Sequence, residues 1–433
     1  MRPAISVVAP QSRKFPRFYP GWWAVFACFW LAVLAWGIGF YGHGVYLTQL
    51  EATRSGSALV LSFATTGYYL VGATLMIFTG TAIERLGSRN VVLVCTFALC
   101  ASLALLPFIS ASWQIVPAYL LMAIGWAGTS WTAIPCILAR WFDRHRGLAI
   151  SIAFSGASFG GIIVPPLLIY LSNGYGFAQA AESVAVAGFV IVGTFAALLL
   201  HRGPEIFGLP IDGATIPGRA DAKRRADDAI QDHTEPPWTF RFWTTTIAFS
   251  LALVTQVGFL THQIPLLAPA LGTQIASFAV AITTASSICG RLALGLVIDR
   301  LEPRAVSAVA FTLQAVALVA LSSFGAQWAV FAACVVYGVW IGNIITLPAL
   351  IIQREFHPGV FAATMGLLTS ISQFTFAFGP GFLGLLHDAA GSYVPVLLTC
   401  AAFNLTAGAL VLVPRYVSRL VMNQRGRPAP DAR

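Results

Sequence analysis

The sequence GTAIERLGSR, residues 80–89, joins two long apolar stretches of the chain. A related sequence, GLVIDRLEPR, occupies residues 295–304 and also joins two apolar stretches. A shift of 215 positions superposes four glycine or charged residues of the two copies: Gly80 on Gly295, Glu84 on Asp299, Arg85 on Arg300 and Arg89 on Arg304. The two copies predict that the chain is built from two similar halves.

A second set of matches extends the repeat. A shift of 214 positions superposes five further residues: Trp126 on Trp340, Gly128 on Gly342, Thr132 on Thr346, Arg140 on Arg354 and Phe142 on Phe356. Matching positions keep the same orientation if each half has six spans, because an even number of spans returns the chain to its starting side. Parallel repeats of this kind are typical of transporters in which two bundles rock about a central site.

The composition indicates a membrane protein. Of 433 residues, 58% are hydrophobic and 9% are charged, whereas soluble domains have about 45–50% apolar and about 25% charged residues. So few charges argue against a cytosolic enzyme, a disordered protein and a nucleic-acid binder. The seven cysteines are scattered singly, so neither a zinc site nor a disulfide framework is predicted. We expect no cofactor.

Twelve stretches are long and apolar enough to span a bilayer, which needs about 20 such residues. Their approximate bounds are 21–49, 57–82, 91–109, 114–139, 147–171, 183–201, 241–266, 274–298, 305–323, 328–352, 361–386 and 393–413. The first stretch is too long for the apolar part of a cleaved signal, and no small-residue cleavage site follows it. The predicted fold is an all-α membrane protein with twelve transmembrane helices in two six-helix bundles.

The basic residues predict the orientation of these spans. With the N-terminus in the cytoplasm, 23 of the 25 basic residues fall on the cytoplasmic side, Arg54 falls on the other side, and Arg291 lies inside a span. This asymmetry follows the positive-inside rule and predicts that both termini are cytoplasmic. The net charge of +9 is therefore interpreted as a topology signal, and no nucleic-acid partner is expected.

One long polar stretch divides the chain. The predicted organisation has five parts: an N-terminal cytoplasmic tail (1–20), a first six-helix bundle (21–201), a cytoplasmic linker (202–240), a second six-helix bundle (241–414) and a C-terminal cytoplasmic tail (415–433). The linker mixes both signs of charge, which is typical of a solvated connection.

The sequence at 80–89 resembles the loop signature of the major facilitator superfamily, G-x-x-x-[DE]-R-x-G-x-[RK]. Its second copy departs from the pattern, because Glu302 stands where a glycine is expected. The resemblance covers the whole chain and implies the superfamily's fold. Charges at these loops are expected to form contacts that break when the halves rock. The candidate gating residues are Gly80, Glu84, Arg85, Gly87, Arg89, Arg140, Arg144, Arg146, Gly295, Asp299, Arg300 and Arg304.

A second signature follows the fourth stretch. The run from Arg140 to Ala149, RWFDRHRGLA, resembles the fifth-span signature of the monocarboxylate transporter family, and the opening YPGWW at 19–23 is similar to that family's Gly-Trp start without its acidic residue. Oxalate–formate exchangers are equally similar. Further along the fifth span, Gly156 and Gly160 lie one turn apart, so a partner helix is expected to approach closely.

Arg291 is the most informative candidate for substrate binding. It precedes Asp299 by eight residues, which is roughly 12 Å along a helix and close to the bilayer middle. No acidic residue of a span interior can neutralise it, and an arginine fork matches a carboxylate well. The resemblance implies a substrate-linked arginine in this span, although Ser287 replaces the family's acidic partner. The alternative is that Arg291 bonds to backbone carbonyls or extends towards the interface.

Five other residues are weaker candidates for the substrate site: His262, His43, Tyr41, Asn343 and Gln373. Either histidine could carry a coupled proton, because histidine titrates near neutrality. Each histidine could equally satisfy a bond between helices. Asn343 and Gln373 could donate to a carboxylate or hold helices together.

The sequence therefore predicts a secondary transporter of small organic anions, monocarboxylate-like, working by proton symport or anion exchange. The alternative is an exporter of drugs or other metabolites, although the fourth span lacks the arginine usual in proton-driven exporters. An intramembrane enzyme is not expected, because no HExxH motif, aspartate pair or histidine cluster is present. We expect a multi-pass protein of the plasma membrane, here a bacterial inner membrane, that acts as a monomeric unit.

Overall fold

The computed structural model describes residues 19–52, 58–200, 203–204, 209, 211, 238–323 and 326–425. These residues form helices and turns, with no strand among them. The first half contains α1 (Gly21–Trp36), α2 (His43–Ala52), α3 (Ala58–Leu86), α4 (Ser88–Leu105), α5 (Ile115–Ala127), α6 (Ala133–Ala139), α7 (Arg146–Tyr175) and α8 (Phe177–Leu199). The second half contains α9 (Phe240–Leu271), α10 (Thr273–Val297), α11 (Pro303–Ser323), α12 (Gln327–Ile341), α13 (Leu347–Glu355), α14 (Phe361–Phe376), α15 (Gly379–Ala390) and α16 (Tyr393–Arg425).

Ten helical segments of the described part are long and apolar enough to cross a membrane. The predicted spans 114–139 and 328–352 are not continuous helices, and the prediction was wrong on this point. A turn at residues 128–132 separates α5 from α6, and a turn at 342–346 separates α12 from α13. Each break begins at a glycine, which is a weak helix former, and a proline lies shortly after it in the next helix. The two breaks occupy matching positions of the repeat.

Three helix ends also differ from the predicted spans. Beyond α1, residues Gly37–Tyr41 form one turn of π-helix, so the first span is not a uniform α-helix. The α8 helix begins at Phe177, earlier than predicted, because Gly176 adopts a φ of 85° that allows a sharp turn before it. The last helix continues through Pro414 to Arg425. The residues around Arg54, most of the linker and the outer parts of both tails lie outside the described residues.

The helices of each half pack mainly with one another. In the first half α1 packs against α7, and in the second half α11 packs against α16. Gly156 and Gly160 of α7 face the carbonyl groups of Phe29 and Val33 on α1, leaving no space for a Cβ atom. The predicted close approach at these two glycines is confirmed. The halves meet along two seams, where α3 packs against α14 and α7 packs against α10.

The two copies of the loop sequence lie at one end of the bundle, which we call the motif end. The first copy turns at Gly87, which has a φ of 84° and precedes α4. In the second copy the Glu302 carboxylate accepts hydrogen bonds from the backbone N–H groups of Arg304 at 3.2 Å and Ala305 at 2.7 Å. Glutamate can therefore replace glycine here, because its side chain caps the first turn of α11.

A buried ion pair anchors the second copy of the loop. The Arg304 guanidinium is 1% exposed and donates to both carboxylate oxygens of Glu355. It also donates to the Val411 carbonyl at 2.8 Å and to the Thr245 hydroxyl at 3.0 Å. Arg304 thus joins α9, α11, α13 and α16. The matching residue of the first half, Arg89, is exposed.

Candidate functional site

A cavity lies between the two halves, and we call it the central cavity. Its volume is about 50 Å³. A water molecule needs about 10–15 Å³ of such space, so the cavity holds a few waters or a ligand of a few heavy atoms. Its walls are formed by Trp36, Phe40, Tyr41, Trp131, Ala157, Ser158, Leu253, Gln256, Val257, Leu260, Thr283, Thr284, Ser287, Arg291, Ile341 and Ile345.

Helical spacing explains which side chains line the cavity. On α9, Leu253, Gln256, Val257 and Leu260 follow the spacing i, i+3, i+4, i+7, which places them on one face. On α10 the lining residues include Thr283, Ser287 and Arg291, each separated by four positions. The π-helical turn carries Phe40 and Tyr41 to the opposite wall. Single π-helical turns inside α-helices are frequent at functional sites.

Arg291 lies in the wall of the cavity and is 3% exposed. Its Nε donates to the carbonyl oxygen of Gly342 at 2.8 Å, and its Nη1 donates to the carbonyl oxygen of Phe154. In a continuous helix the Thr346 N–H would donate to Gly342, but here it donates to Asn343 at 3.1 Å. The break after α12 therefore supplies a carbonyl acceptor for Arg291.

The contacts of Arg291 leave part of its hydrogen-bonding capacity unused. An arginine side chain carries five N–H groups, and two of those of Arg291 donate to described residues. The Tyr41 phenol, contributed by the first half, lines the same cavity. Both partners found are backbone carbonyls, so the positive charge is solvated by dipoles and is not neutralised.

The two sides of the cavity differ in chemistry. The first half contributes the rings of Trp36, Phe40, Tyr41 and Trp131, and the second half contributes most of the polar side chains. The lining residues that the structure describes include one cation, Arg291, and no acidic side chain. Such a cavity suits a small anion with an apolar part.

The structure places the two histidines outside the lining of the central cavity. His43 Nδ1 lies 3.3 Å from the Phe40 carbonyl and donates to it, and Nε2 is buried without a partner in the described structure. The His43 ring packs against Tyr68 and Tyr69. His262 Nε2 lies 3.1 Å from the Pro380 carbonyl, so His262 binds within the second half.

Asn343 and Gln373 also lie outside the lining of the cavity. The Gln373 Oε1 accepts from Trp126 Nε1 at 2.8 Å, and its Nε2 donates to the Tyr69 carbonyl at 2.9 Å. Gln373 therefore joins α14 to the first half. Asn343 Nδ2 donates to the Val339 carbonyl at 3.0 Å, one turn earlier. Of the six predicted substrate residues, the structure brings Tyr41 and Arg291 together in the cavity.

Trp131 and Gln256 were not predicted as lining residues. Trp131 lies in the turn between α5 and α6, and a continuous helix would have placed it differently. Helical spacing did not identify Gln256, because it lies one residue from Thr255 and six from His262, on a different face of the same helix.

At the motif end, a carboxylate of the second half binds the first half. Asp299 accepts hydrogen bonds from the backbone N–H groups of Gly147 at 2.8 Å and Leu148 at 3.3 Å, at the N-terminus of α7. We call this contact the Asp299 cap. Arg354 donates to the Asp299 carbonyl at 2.8 Å. The negative charge of the carboxylate also interacts favourably with the positive end of the α7 dipole.

The repeat predicts a matching contact from Glu84 to Phe361 and Ala362, at the N-terminus of α14. Glu84 is exposed and forms no hydrogen bond or ion pair with described residues. A cavity of about 190 Å³ lies there instead, lined by Glu84, Phe361 and Ala362 among others. The motif end is thus joined asymmetrically. Gly80 still packs on Ala362, whose carbonyl oxygen would lie 2.6 Å from an added Cβ.

The remaining candidate gating residues divide by burial. Arg85, Arg89, Arg140, Arg144 and Arg300 are exposed. Arg146 is 9% exposed, donates to the Phe142 carbonyl at 2.8 Å, and lies over the Phe361 ring across the seam. Gly295 packs against the Ser151 side chain of the other half. The buried members therefore lie at the seams between the halves.

Comparison with known proteins agrees with this geometry. The family model of the Major Facilitator Superfamily matches residues 25–380. The chain belongs to this superfamily. Superfamily members are membrane transporters and are not enzymes. The resemblance first noted at residues 80–89 is confirmed.

Two curated relatives and one solved structure illustrate the range of similar superfamily proteins. Monocarboxylate transporter 13 of Rattus norvegicus is 24% identical over 95% of this chain and 94% of its own length. The aspyridones efflux protein apdF of Emericella nidulans is also 24% identical, over 95% of this chain and 81% of its own length. The human organic anion transporter MFSD10 has a TM-score of 0.66 at 16% identity, covering 92% of this chain and 100% of that chain. At this identity the solved structure supports the fold alone.

Proposed function

We propose that the protein is a secondary active transporter that moves small, monocarboxylate-like organic anions by alternating access, as proton symport or anion exchange. The observation that carries the proposal is Arg291, a buried cation in the wall of a cavity between the halves. A charged arginine at mid-membrane costs about 2.5–3.5 kcal/mol on insertion scales. Its two carbonyl partners solvate the charge, and a bound carboxylate would neutralise it.

The proposed topology has twelve crossings, with both termini in the cytoplasm. The ten apolar segments and the two broken segments, 115–139 and 327–355, supply this number. The excess of basic residues near the motif end supports a cytoplasmic motif end. The Asp299 cap then closes the cytoplasmic side of the transporter. We place the protein in the plasma membrane, as a monomeric unit in a bacterial inner membrane.

In proton symport, the coupled proton would bind a histidine. His43 has a buried Nε2 without a partner in the described structure, and it lies next to residues that line the cavity. A proton reaching Nε2 would charge the ring close to Tyr41 and Phe40. His262 donates from Nε2 to the Pro380 carbonyl, and its Nδ1 lies 3.3 Å from the Tyr393 hydroxyl. Both of its ring nitrogens have partners, so it is the weaker candidate.

Uptake by proteoliposomes tests the proposal. Purified protein is reconstituted, and uptake of labelled acetate, propanoate and oxalate is measured with and without an inward proton gradient or an internal exchangeable acid. We expect Arg291→Ala to lose uptake and Arg291→Lys to retain a part of it, since lysine keeps the charge and loses the planar fork.

A matched control comes from another arginine. Arg241 at the start of α9 is exposed, so Arg241→Ala should transport like the wild type. Equal uptake by Arg291→Ala and the wild type would exclude Arg291 as the anion site.

A second candidate function is export of larger metabolites. It is favoured by the relative apdF, whose name describes an efflux protein and which aligns with 95% of this chain. The small volume of the central cavity argues against a large ligand in this conformation. A resistance assay in a pump-deleted host separates the two functions, because broad resistance conferred by the protein supports export.

A further inference from the structure

The π-helical turn at Gly37–Tyr41 is held by side chains that bind its backbone carbonyls. The Tyr46 hydroxyl donates to the Ile38 carbonyl at 3.1 Å, and the Tyr68 hydroxyl donates to the Gly39 carbonyl at 2.6 Å. The next carbonyl of the turn accepts from a histidine ring. An extra residue in a helical turn moves carbonyls out of line with their α-helical N–H partners, so they need other donors. Three consecutive side-chain bonds supply them here.

Two glycines give the tyrosine hydroxyls access to the turn. A Cβ atom added at Gly39 would lie 2.8 Å from the Tyr68 hydroxyl, and one added at Gly42 would lie closer still to the Tyr46 hydroxyl. Real Cβ contacts are essentially never that short, so a larger residue at either position would displace the tyrosine. The sequence GIGFYG at 37–42 therefore fits a turn that is closed by side chains from outside it.

The register of the turn determines what the first half presents to the central cavity. The turn ends at Tyr41, which is 38% exposed and lines the cavity next to Phe40. Loss of the extra residue would rotate the side chains at the end of the turn by roughly 100° relative to α1. Tyr41 would then leave the cavity that it shares with Arg291. Tyr46 and Tyr68 hold the register that keeps it there.

The second half reaches the same turn through Gln373. The Gln373 amide accepts from Trp126 Nε1 and donates to the Tyr69 carbonyl, both in the first half. The Trp126 ring is also a neighbour of Gly39, 2.7 Å from where a Cβ atom would stand. Tyr69 is adjacent in sequence to Tyr68. Both partners of Gln373 therefore adjoin the contact between Tyr68 and the turn.

We propose that the π-helical turn couples the contact between the halves to the wall of the central cavity. While Gln373 bonds across the α3–α14 seam, Tyr68 holds the turn and Tyr41 stays in the cavity. When the halves separate at this seam, the bonds of Gln373 break, the contact of Tyr68 with the turn weakens, and the turn adopts the α-helical register, which removes Tyr41 from the cavity. Tyr46 and Tyr68 are positioning residues that act through Tyr41. This coupling does not depend on which ligand the protein transports.

Thiol labelling of a Tyr41→Cys variant tests the coupling. The full chain carries Cys289→Ser, which removes an exposed native cysteine, and the rate of modification by the anionic reagent methanethiosulfonate ethylsulfonate is measured. Ile38, in the same turn, is fully buried, so Ile38→Cys should label slowly. We expect Tyr68→Phe to shift the ratio of molecules with and without the π-helical turn by about 2- to 10-fold. Labelling at position 41 should then slow, while labelling at position 38 stays slow, and Tyr46→Phe should act in the same direction.

Gln373→Leu tests the link to the second half. This variant should slow labelling at position 41 as Tyr68→Phe does, although Gln373 does not belong to the half that contains the turn. The two substitutions together should have less than the product of their separate effects, because both act on one contact. Gln373→Met serves as a second variant if the thermal midpoint shows that the leucine variant folds poorly.

Matched controls come from the same ring cluster and from the same seam. The Tyr119 ring lies 6.4 Å from that of Tyr68, and its hydroxyl bonds to Thr65, so Tyr119→Phe should label at position 41 like the wild type. Thr369 bonds across the same seam to the Thr132 hydroxyl at 2.6 Å. This bond involves neither partner of Gln373, so Thr369→Val should also label like the wild type.

Four results would overturn the proposal. The first is unchanged labelling at position 41 in both tyrosine variants, Tyr46→Phe and Tyr68→Phe, or in both Gln373 variants. The second is equal slowing in Tyr119→Phe or Thr369→Val, which would indicate a general loss of packing. The third is faster labelling at position 38, which would indicate local unfolding of the turn and not a change of register. The fourth is a double variant whose effect equals the product of the single effects, since the seam and the turn would then be independent.

Discussion

The Asp299 cap should hold the motif end closed, and Asp299→Asn should weaken it. The wild-type carboxylate accepts two backbone N–H groups of the other half, at 2.8 Å and 3.3 Å. Hydrogen bonds to a charged group contribute about 1.5–3 kcal/mol, and a charge at a helix N-terminus contributes about 0.3–1 kcal/mol. These terms overlap, because both describe one carboxylate at one helix end.

The asparagine variant keeps part of the contact. Its amide oxygen can still accept the shorter bond from Gly147, but the charge and the longer bond to Leu148 are lost. Asp299 is also only half-buried, so solvent weakens its interactions and the expected loss of free energy is smaller. We expect a loss of about 1–2 kcal/mol, which shifts the ratio of motif-end-closed to motif-end-open molecules by about 5- to 30-fold.

Distances between spin labels at Asn90 and Leu301, both exposed residues at the motif end, measure this ratio. The labels are introduced as cysteines after replacement of the exposed Cys289 by serine. Asp299→Asn should increase the population with the longer distance. Glu84→Gln is the matched control, because Glu84 occupies the corresponding position of the repeat and forms no hydrogen bond or ion pair with described residues. An unchanged distance distribution in Asp299→Asn, or an equal shift in Glu84→Gln, would refute this reasoning.

Three further substitutions test other parts of the structure. Glu355→Gln should lower the free energy of unfolding in detergent by about 3–5 kcal/mol, because it leaves Arg304 buried without its carboxylate; an unchanged thermal midpoint would contradict this. Gly156→Ala should destabilise by about 1–3 kcal/mol, since its Cβ would meet the Phe29 carbonyl, whereas Gly174→Ala on the same helix enters open space and should have little effect on the same midpoint. Gln256→Glu should lower organic-anion uptake at least about tenfold, because a carboxylate in the cavity would compete for Arg291; undiminished uptake would argue that Gln256 faces elsewhere.

The repeat was the part of the fold that could be predicted most securely. Matching residues at a constant shift carry their own internal check, and Gly128 and Gly342 lie at the corresponding breaks. The breaks themselves could not be predicted, since glycine is tolerated inside many membrane helices and its effect depends on neighbouring helices. Hydropathy averages over such local interruptions.

The candidate site was predicted only in part. Arg291 could be found because a lone charge in an apolar span is rare and costly. Its partners could not, because both are backbone carbonyls, which no residue type identifies. Gln373 and Gln256 have the same side chain in similar surroundings. Only the three-dimensional packing determines that Gln373 bonds across the seam and that Gln256 faces the cavity.

The bond from Arg291 to the Phe154 carbonyl has a consequence for energetics. The two residues belong to different halves. The Phe154 carbonyl oxygen therefore accepts a hydrogen bond from Arg291 that a substrate carboxylate could accept. A carboxylate that draws the guanidinium towards itself loosens this bridge, and the loss is subtracted from the affinity that a binding experiment measures. Weak apparent binding would then be part of the transport mechanism. Part of the free energy of anion binding would break the contact between the two halves and so favour their separation.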